Sequence, residues 1–442
     1  MAGKAKPVGS LGVMEAMACR LAALQGTLEP RIGRASLLVF GADHGITAAR
    51  PQISAFPRAV SAPVFRAVAR GQAASAVLCA ANGVSLLVAV DVGLDADVTD
   101  ACPPPPPPVL TAGREADSTR ISVVHRKIRP GGSRNMLEGP AMTEQEVADA
   151  MAAGSDAVQM AVRGTAGPGA GGGALADGGG PADRGPGPLP DDWRQCVVCI
   201  GEVGIGNTTA AAALVAALSG AAPEDVCGRG TGVDDTGLAA KREAVSAALA
   251  ANAELLRGGG ALGALRAVGG LELAAMAGAV VACAELGVPV VADGFISGAA
   301  ALAALAHQPG PVGRCLFLSH RSAERGAALL LAALTGAVPL APHIRDCQAA
   351  GPQPERPPPQ RDGGRESGPC AAAAGSPDQG PAETEAAGVA AGAAAAAWPS
   401  PAVLDMGLRL GEGTGAVLVL PLLRSAAAIL GRMASLEEVL AA

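Results

Sequence analysis

Short apolar runs alternate along this chain with longer stretches whose apolar residues recur at helical spacing. Ser36 to Gly41, Ser85 to Gly93, Ile121 to Ile128, Cys196 to Ile200, Val288 to Ala292 and Cys315 to Leu318 are the runs. Each is short and nearly continuous, as in a strand buried on both faces. Val13 to Gln25, Pro57 to Ala81, Glu144 to Val162, Thr236 to Leu256, Gly269 to Gly287 and Ala416 to Met433 read as helices, and another opens at Asn207-Thr208-Thr209. Thr143 followed by Glu146 spells a capping box, and Asp235 reads as an N-cap. Strands alternating with helices predict an α/β protein: a parallel, Rossmann-like sheet with helices on both faces. The N- and C-terminal helices are expected to form a small helical subdomain.

Three low-complexity stretches interrupt the pattern: a six-proline run within 102–119, a Gly/Pro-rich 164–192, and 346–400, rich in Pro and Gly and then in Ala. They read as flexible insertions, because such compositions bury too little apolar surface to fold alone. The expected organisation is therefore a helical piece at 1–35, an α/β domain at 36–345, the insertion 346–400, and a closing segment at 401–442.

Composition narrows the function. A net charge of −7 without Lys/Arg runs argues against a nucleic-acid surface. Glu272, Glu285 and Asp293 interrupt the best apolar stretch, so no bilayer-spanning segment is expected. Ten cysteines form no framework and read as core thiols; Cys196 and Cys199 should point to opposite faces of one strand. With almost no aromatic residues, the core must pack small side chains closely.

Candidate chemistry centres on Gln195 to Gly220. An apolar run leads through the glycine-rich turn Gly201 to Gly206 into an Ala/Leu-rich helix. Strand, glycine turn and helix N-terminus can cradle an anion. The spacing approaches a P-loop, but Asn207 stands where the lysine belongs, which weakens an NTPase reading. It also approaches a dinucleotide fingerprint, with Glu224 and Asp225 at a ribose partner's distance, but Thr209 replaces the third glycine. A cradle for one phosphate and an ordinary βα turn both remain open. Asp43-His44 and Asp293 end strands, where open α/β sheets place ligands. His44 reads equally as a turn histidine, and Asp43 and Asp293 as residues that order loops.

Seven stretches in one order carry a resemblance: VFGADHG (39–45), GEVGIGNTT (201–209), GRGTGVDD (228–235), GGLELAAMAGA (269–279), DGFISGAAALAA (293–304), SHRSAERG (319–326) and LRLGEGTGAVLVLPLL (408–423). The chain resembles the nicotinate-nucleotide–dimethylbenzimidazole phosphoribosyltransferase family. The resemblance implies transfer of phosphoribose from nicotinate mononucleotide to 5,6-dimethylbenzimidazole or a related base. It further implies a homodimer with no cofactor and no metal.

Matched residue by residue, it makes Glu412 the catalytic base. Glu202, Gly204, Ile205, Gly206, Asn207 and Lys241 become the phosphate and ribose site. Phe56, Val64, Leu410, Asp293, Ser319 and Ser322 fall to the bases. Phe56 and Val64 depart from the family's covering loop, which leaves the accepted base open. Family members carry a further helical stretch before the segment matching Lys6 to Ser10. The expected location is the cytoplasm, or an organelle if a leader precedes Met1. The reading from another class is a catalytically silent paralogue that binds benzimidazoles or their nucleotides; the presence of both Glu412 and Lys241 counts against it.

Overall fold

The computed structural model describes residues 1–102, 119–164, 188–350 and 402–441. Six strands form one sheet: β1 (Arg34–Ala42), β2 (Leu86–Gly93), β3 (Arg120–His125), β4 (Cys196–Val203), β5 (Val290–Ala292) and β6 (Leu316–Leu318). Their order is β3-β2-β1-β4-β5-β6 and every pairing is parallel. This is the order of a doubly wound sheet, in which the chain leaves β1 toward one edge and returns at β4 to build the other. Loops diverge at that reversal and leave a crevice at the carboxyl ends.

Both faces are covered, which is why the strands read as unbroken apolar runs. Leu38, Phe40, Val198 and Ile200 face helices Glu144–Arg163, Asn207–Ser219, Leu271–Leu286 and Phe295–His307. Leu37, Val39 and Val197 face helices Val13–Gln25, Ser61–Ala69, Ala74–Ala81 and Leu420–Arg432. Cys196 lies on the first face and Cys199 on the second, as period-two geometry requires. The small side chains set helix spacing. A Cβ at Gly154 would lie 1.9 Å from Ala275 O, and one at Gly278 would lie 2.2 Å from Met151 O, so these two helices touch backbone to backbone.

The terminal helices pack on one another over the second face. Ala5 N donates to Ala434 O at 3.0 Å and Lys4 Nζ to Met433 O at 2.6 Å. The expected insertions lie almost wholly outside the described residues, which omit 103–118, 165–187 and 351–401.

Several expected elements differ. The stretch 57–81 divides into a 3-10 turn Arg58–Val60 and helices Ser61–Ala69 and Ala74–Ala81, because Gly71, at φ 74, turns the chain between them. Asp234, not Asp235, caps the next loop's helix by accepting Gly237 N at 2.8 Å. That helix ends at Ala251, where Asn252 turns its side chain to Met136 O, and Ala253–Gly258 follows. The C-terminal helix divides at Val419 into Thr414–Leu418 and Leu420–Arg432; Pro421, which lacks an N–H, follows the break. One stretch reaches membrane-spanning length, although it carries Arg424 and Arg432. Thr414–Arg432 is long and apolar enough by length and composition, with mean hydropathy 1.7. Here Leu420, Leu423, Ala426 and Leu430 lie in the core under the sheet.

Candidate active site

The glycine loop is shorter than the sequence suggests. Gly201, Glu202 and Val203 continue β4, and only Gly204 to Gly206 turn the chain into helix Asn207–Ser219. Glu202 is therefore a strand residue, buried opposite Phe40. The turn lies tightly over the end of β1: a Cβ at Gly204 would sit 2.0 Å from Ala42 O, and one at Gly206 2.5 Å from Thr47 Cγ2. Ser61 Oγ donates to Asp43 Oδ1 at 2.6 Å and accepts Ile205 N at 3.0 Å. Asp43 also takes Asp95 N at 2.8 Å. Asp43 thus orders loops, through a serine that carries no signal in the sequence.

Glu412 comes to this turn from the far end of the chain. It is the non-glycine residue with positive φ among those described, at 59°, between Gly411 at 86° and Gly413 at 82°. A left-handed backbone at a long side chain is strained and persists only where its surroundings impose it. Here they do. A Cβ at Gly201 would lie 2.2 Å from Gly413 N, and one at Gly411 would lie 2.5 Å from Glu202 Oε1. The loop is thereby pressed onto β4. Asp293, at the end of β5, accepts Gly413 N at 3.2 Å, Gly415 N at 2.6 Å and Ala416 N at 3.2 Å. Ser75 Oγ, from helix Ala74–Ala81, donates to Glu412 Oε2 at 3.0 Å.

Four carboxylates, Glu202, Glu272, Asp293 and Glu412, are thus buried together. Burial, then the charges of Glu272, Asp293 and Glu412, push the Glu202 carboxyl well above its usual range, against the side-chain amide of Asn207. Burial raises Asp293 to about 7, although three backbone N–H groups pull it down. His44 Nε2 lies 2.9 Å from Glu272 Oε1, both fully buried, an ion-pair separation without hydrogen-bond alignment. Burial works against the His44 imidazolium, but Glu272 and Asp43 outweigh it and its pKa is raised. His44 therefore forms a buried pair beneath the turn rather than a surface contact.

Lys241 is also buried. Its Nζ donates to Thr208 Oγ1 at 2.7 Å, and among the described residues it forms no ion pair. Burial lowers its pKa while Glu324 pulls it upward. A buried ammonium with one hydroxyl partner, beside a helix N-terminus, is suited to an anion. Glu202, Thr208, Asp293, Ser322, Glu324, Arg409 and Gly411 line one narrow cleft. Ser319 is committed elsewhere, its hydroxyl donating to Asp293 O, so Ser322 is the serine of that loop that faces the cleft. Asn207 uses both ends of its amide, on Glu202 and on Thr208 N. Val64 is partly buried against the core, whereas Phe56 and Leu410 are 50% and 58% exposed.

Sequence reasoning gave no role to Ser61, Ser75, Glu272 or Glu324. Glu272 and Glu324 stand inside the seven motifs, whereas the two serines carry no local signal. A wider opening of about 540 Å³ beside Gly45 has Arg58, Arg129 and Arg134 in its wall. Arg58 is answered by Asp95, and Arg129 and Arg134 by Glu146, so each of these cations already has a carboxylate partner.

A parallel sheet whose strand ends gather a strained glutamate, a buried lysine and a helix N-terminus is suited to a phosphorylated sugar, and a phosphoribosyltransferase family model matches residues 1–171, 192–350 and 384–440. Its unmatched segments fall within two of the three low-complexity stretches. The chain is 42% identical over 330 residues to the nicotinate-nucleotide–dimethylbenzimidazole phosphoribosyltransferase of Chromobacterium violaceum, covering 74% of this chain and 79% of that one. It is 35% identical to the Thermus thermophilus protein of the same name, covering 98% and 93%. The crystal structure of CobT from Thermus thermophilus superposes with a TM-score of 0.67 at 33% identity, covering 99% of this chain and 95% of that one. The chain belongs to the nicotinate-nucleotide–dimethylbenzimidazole phosphoribosyltransferase family, and it is an enzyme of pentosyl transfer acting in cobalamin synthesis.

Proposed function

We propose that the chain moves phosphoribose from nicotinate mononucleotide to 5,6-dimethylbenzimidazole or a related base, giving α-ribazole 5′-phosphate and nicotinate, with Glu412 as the base. The observation that carries this is Glu412 itself, held at φ 59 next to Gly411, which lines a cleft together with Glu202 and Thr208. A benzimidazole ring nitrogen attacks C1′ from the face opposite nicotinate. The glycosidic C–N bond breaks, and its electron pair returns to the nicotinate ring, which leaves as a neutral pyridine. The other benzimidazole nitrogen becomes acidic as the new bond forms, and Glu412 takes its proton. The configuration inverts from β to α.

Lys241, Thr208 and the turn Gly204 to Gly206 receive the 5′-phosphate, and Glu202 with Asn207 faces the ribose. A carboxyl kept protonated by burial can donate to a sugar hydroxyl, the state toward which its neighbours push Glu202. Asp293 and Ser319 serve by ordering the loop around Glu412, and Ser322 lines the nicotinate end. The exposed Phe56 and Leu410, with Val64, form the wall for the accepted base, offering stacking and apolar contact. The protein works as a cytoplasmic homodimer.

The test is direct. Purified protein is incubated with nicotinate mononucleotide and a panel of benzimidazoles and purines, and nicotinate release is followed. Release that depends on a benzimidazole supports the reading. Tight binding of the bases with no release favours the silent paralogue instead.

A further inference from the structure

We propose that Ser75 is a positioning residue for Glu412, fixing one carboxylate oxygen so that the other is presented to the incoming base. The inference rests on the reading of Glu412 as the base and adds a residue that the reading does not require.

The backbone constraints at Glu412 fix where its Cα sits, not where its carboxylate points. Three side-chain torsions remain, and their freedom must be restrained for a proton acceptor to meet its target. The carboxylate is also poorly placed electrostatically. Glu202 on β4 and Asp293 after β5 are buried beside it, and its charge raises the pKa of both. The donors those two carboxylates hold, Asn207 for Glu202 and the N–H groups of Gly413, Gly415 and Ala416 for Asp293, are already used. Repulsion therefore favours swinging Glu412 away.

Ser75 supplies the opposing pull. Its Oγ donates to Oε2 at 3.0 Å, and its side chain is fully buried. Around it, Ala73, Ala76 and Cys79 belong to the apolar core, where an unpaired hydroxyl would be costly. Here the hydroxyl has a partner, and that partner is the base. With Oε2 engaged, Oε1 is left to accept. Among the described residues, His320 lies against the Glu412 loop, where a Cβ at Gly415 would meet its Nδ1 at 2.1 Å, Cys199 Sγ reaches Ala416 O at 3.4 Å, and Glu272 is buried in the same carboxylate group.

The test compares kcat and KM, for nicotinate mononucleotide and for dimethylbenzimidazole, in wild type, Ser75→Ala and Ser75→Cys, with Tm measured alongside. kcat should fall by roughly 10-fold in Ser75→Ala, the scale of one lost hydrogen bond to a charged group. Ser75→Cys, a weaker donor of similar shape, should fall between, and KM should be unchanged. An unchanged kcat, or a change in kcat and KM together with a lowered Tm, overturns the inference in favour of simple packing. Glu412→Gln separates the two claims. If that variant is inactive while Ser75→Ala is silent, only the role of Ser75 falls; if it turns over normally, the reading of Glu412 falls first.

Discussion

Asp293 accepts the backbone N–H of Gly415 at 2.6 Å, and through this bond the carboxyl end of β5 holds the loop of Glu412. The two residues are far apart in sequence, and the segment 351–401 lies between them. Two further N–H groups, of Gly413 and Ala416, reach the same carboxylate. Asp293 thus takes the place of a helix cap for the turn that starts at Thr414.

Asp293→Ala should therefore act on catalysis through the loop. Three buried N–H groups lose their acceptor, each worth about 1–3 kcal/mol when left unpaired. Turnover should fall by roughly 10²-fold or more, the cost of a misplaced catalytic group. The affinity for nicotinate mononucleotide, proposed to be set largely at Lys241, should change much less. Steady-state kinetics distinguish the two: a rise in KM with normal kcat contradicts this role.

The buried acids give the unliganded protein a characteristic pH dependence. Asp293 is raised from 3.8 to about 7, and Glu202 is also raised, so the folded chain keeps protons that the unfolded chain has released. That stability is complete below the unfolded carboxyl values near 4 and is lost as pH rises through the folded ones. His44, also raised, has the same sign: its contribution is fully present below the unfolded value of 6.5 and is lost as pH rises through the folded one. Lys241, pushed down by burial, acts in the opposite sense toward alkaline pH. Calorimetry should find Tm falling from about pH 5 to about pH 7, with a shallower slope in Asp293→Asn. A Tm that rises across this window contradicts the assignment.

Lys241→Ala should weaken nicotinate mononucleotide by about 1.5–3 kcal/mol, the scale of a charged hydrogen bond, with base affinity nearly unchanged. Titration calorimetry with the nucleotide and with its dephosphorylated nucleoside provides the check. If the nucleoside loses as much as the nucleotide, Lys241 does not hold the phosphate.

Much of this site was legible in the sequence, for physical reasons that can be named. Strands covered on both faces leave unbroken apolar runs, so β1, β2 and β4 stood out. Glu412 was marked by its two flanking glycines, which the left-handed turn requires. Glu202 was misplaced into the turn, because a glycine followed by a charged residue resembles a loop until another segment lies across it. Gly201 is in fact bare so that the Glu412 loop can touch β4. The burial of Lys241 could not be read from a helix with polar neighbours at Arg242 and Glu243. Ser75 was invisible, being one serine in an alanine-rich helix that exists as a separate element because Gly71 breaks the longer one.

Glu412 is proposed to remove the proton from the attacking base. The most direct measurement is turnover of Glu412→Gln, which keeps the side chain's shape and its contact with Ser75 but removes the proton acceptor. Nicotinate release should fall by roughly 10²–10⁴-fold while the affinity for dimethylbenzimidazole changes little. Turnover close to wild type in that variant would contradict the account.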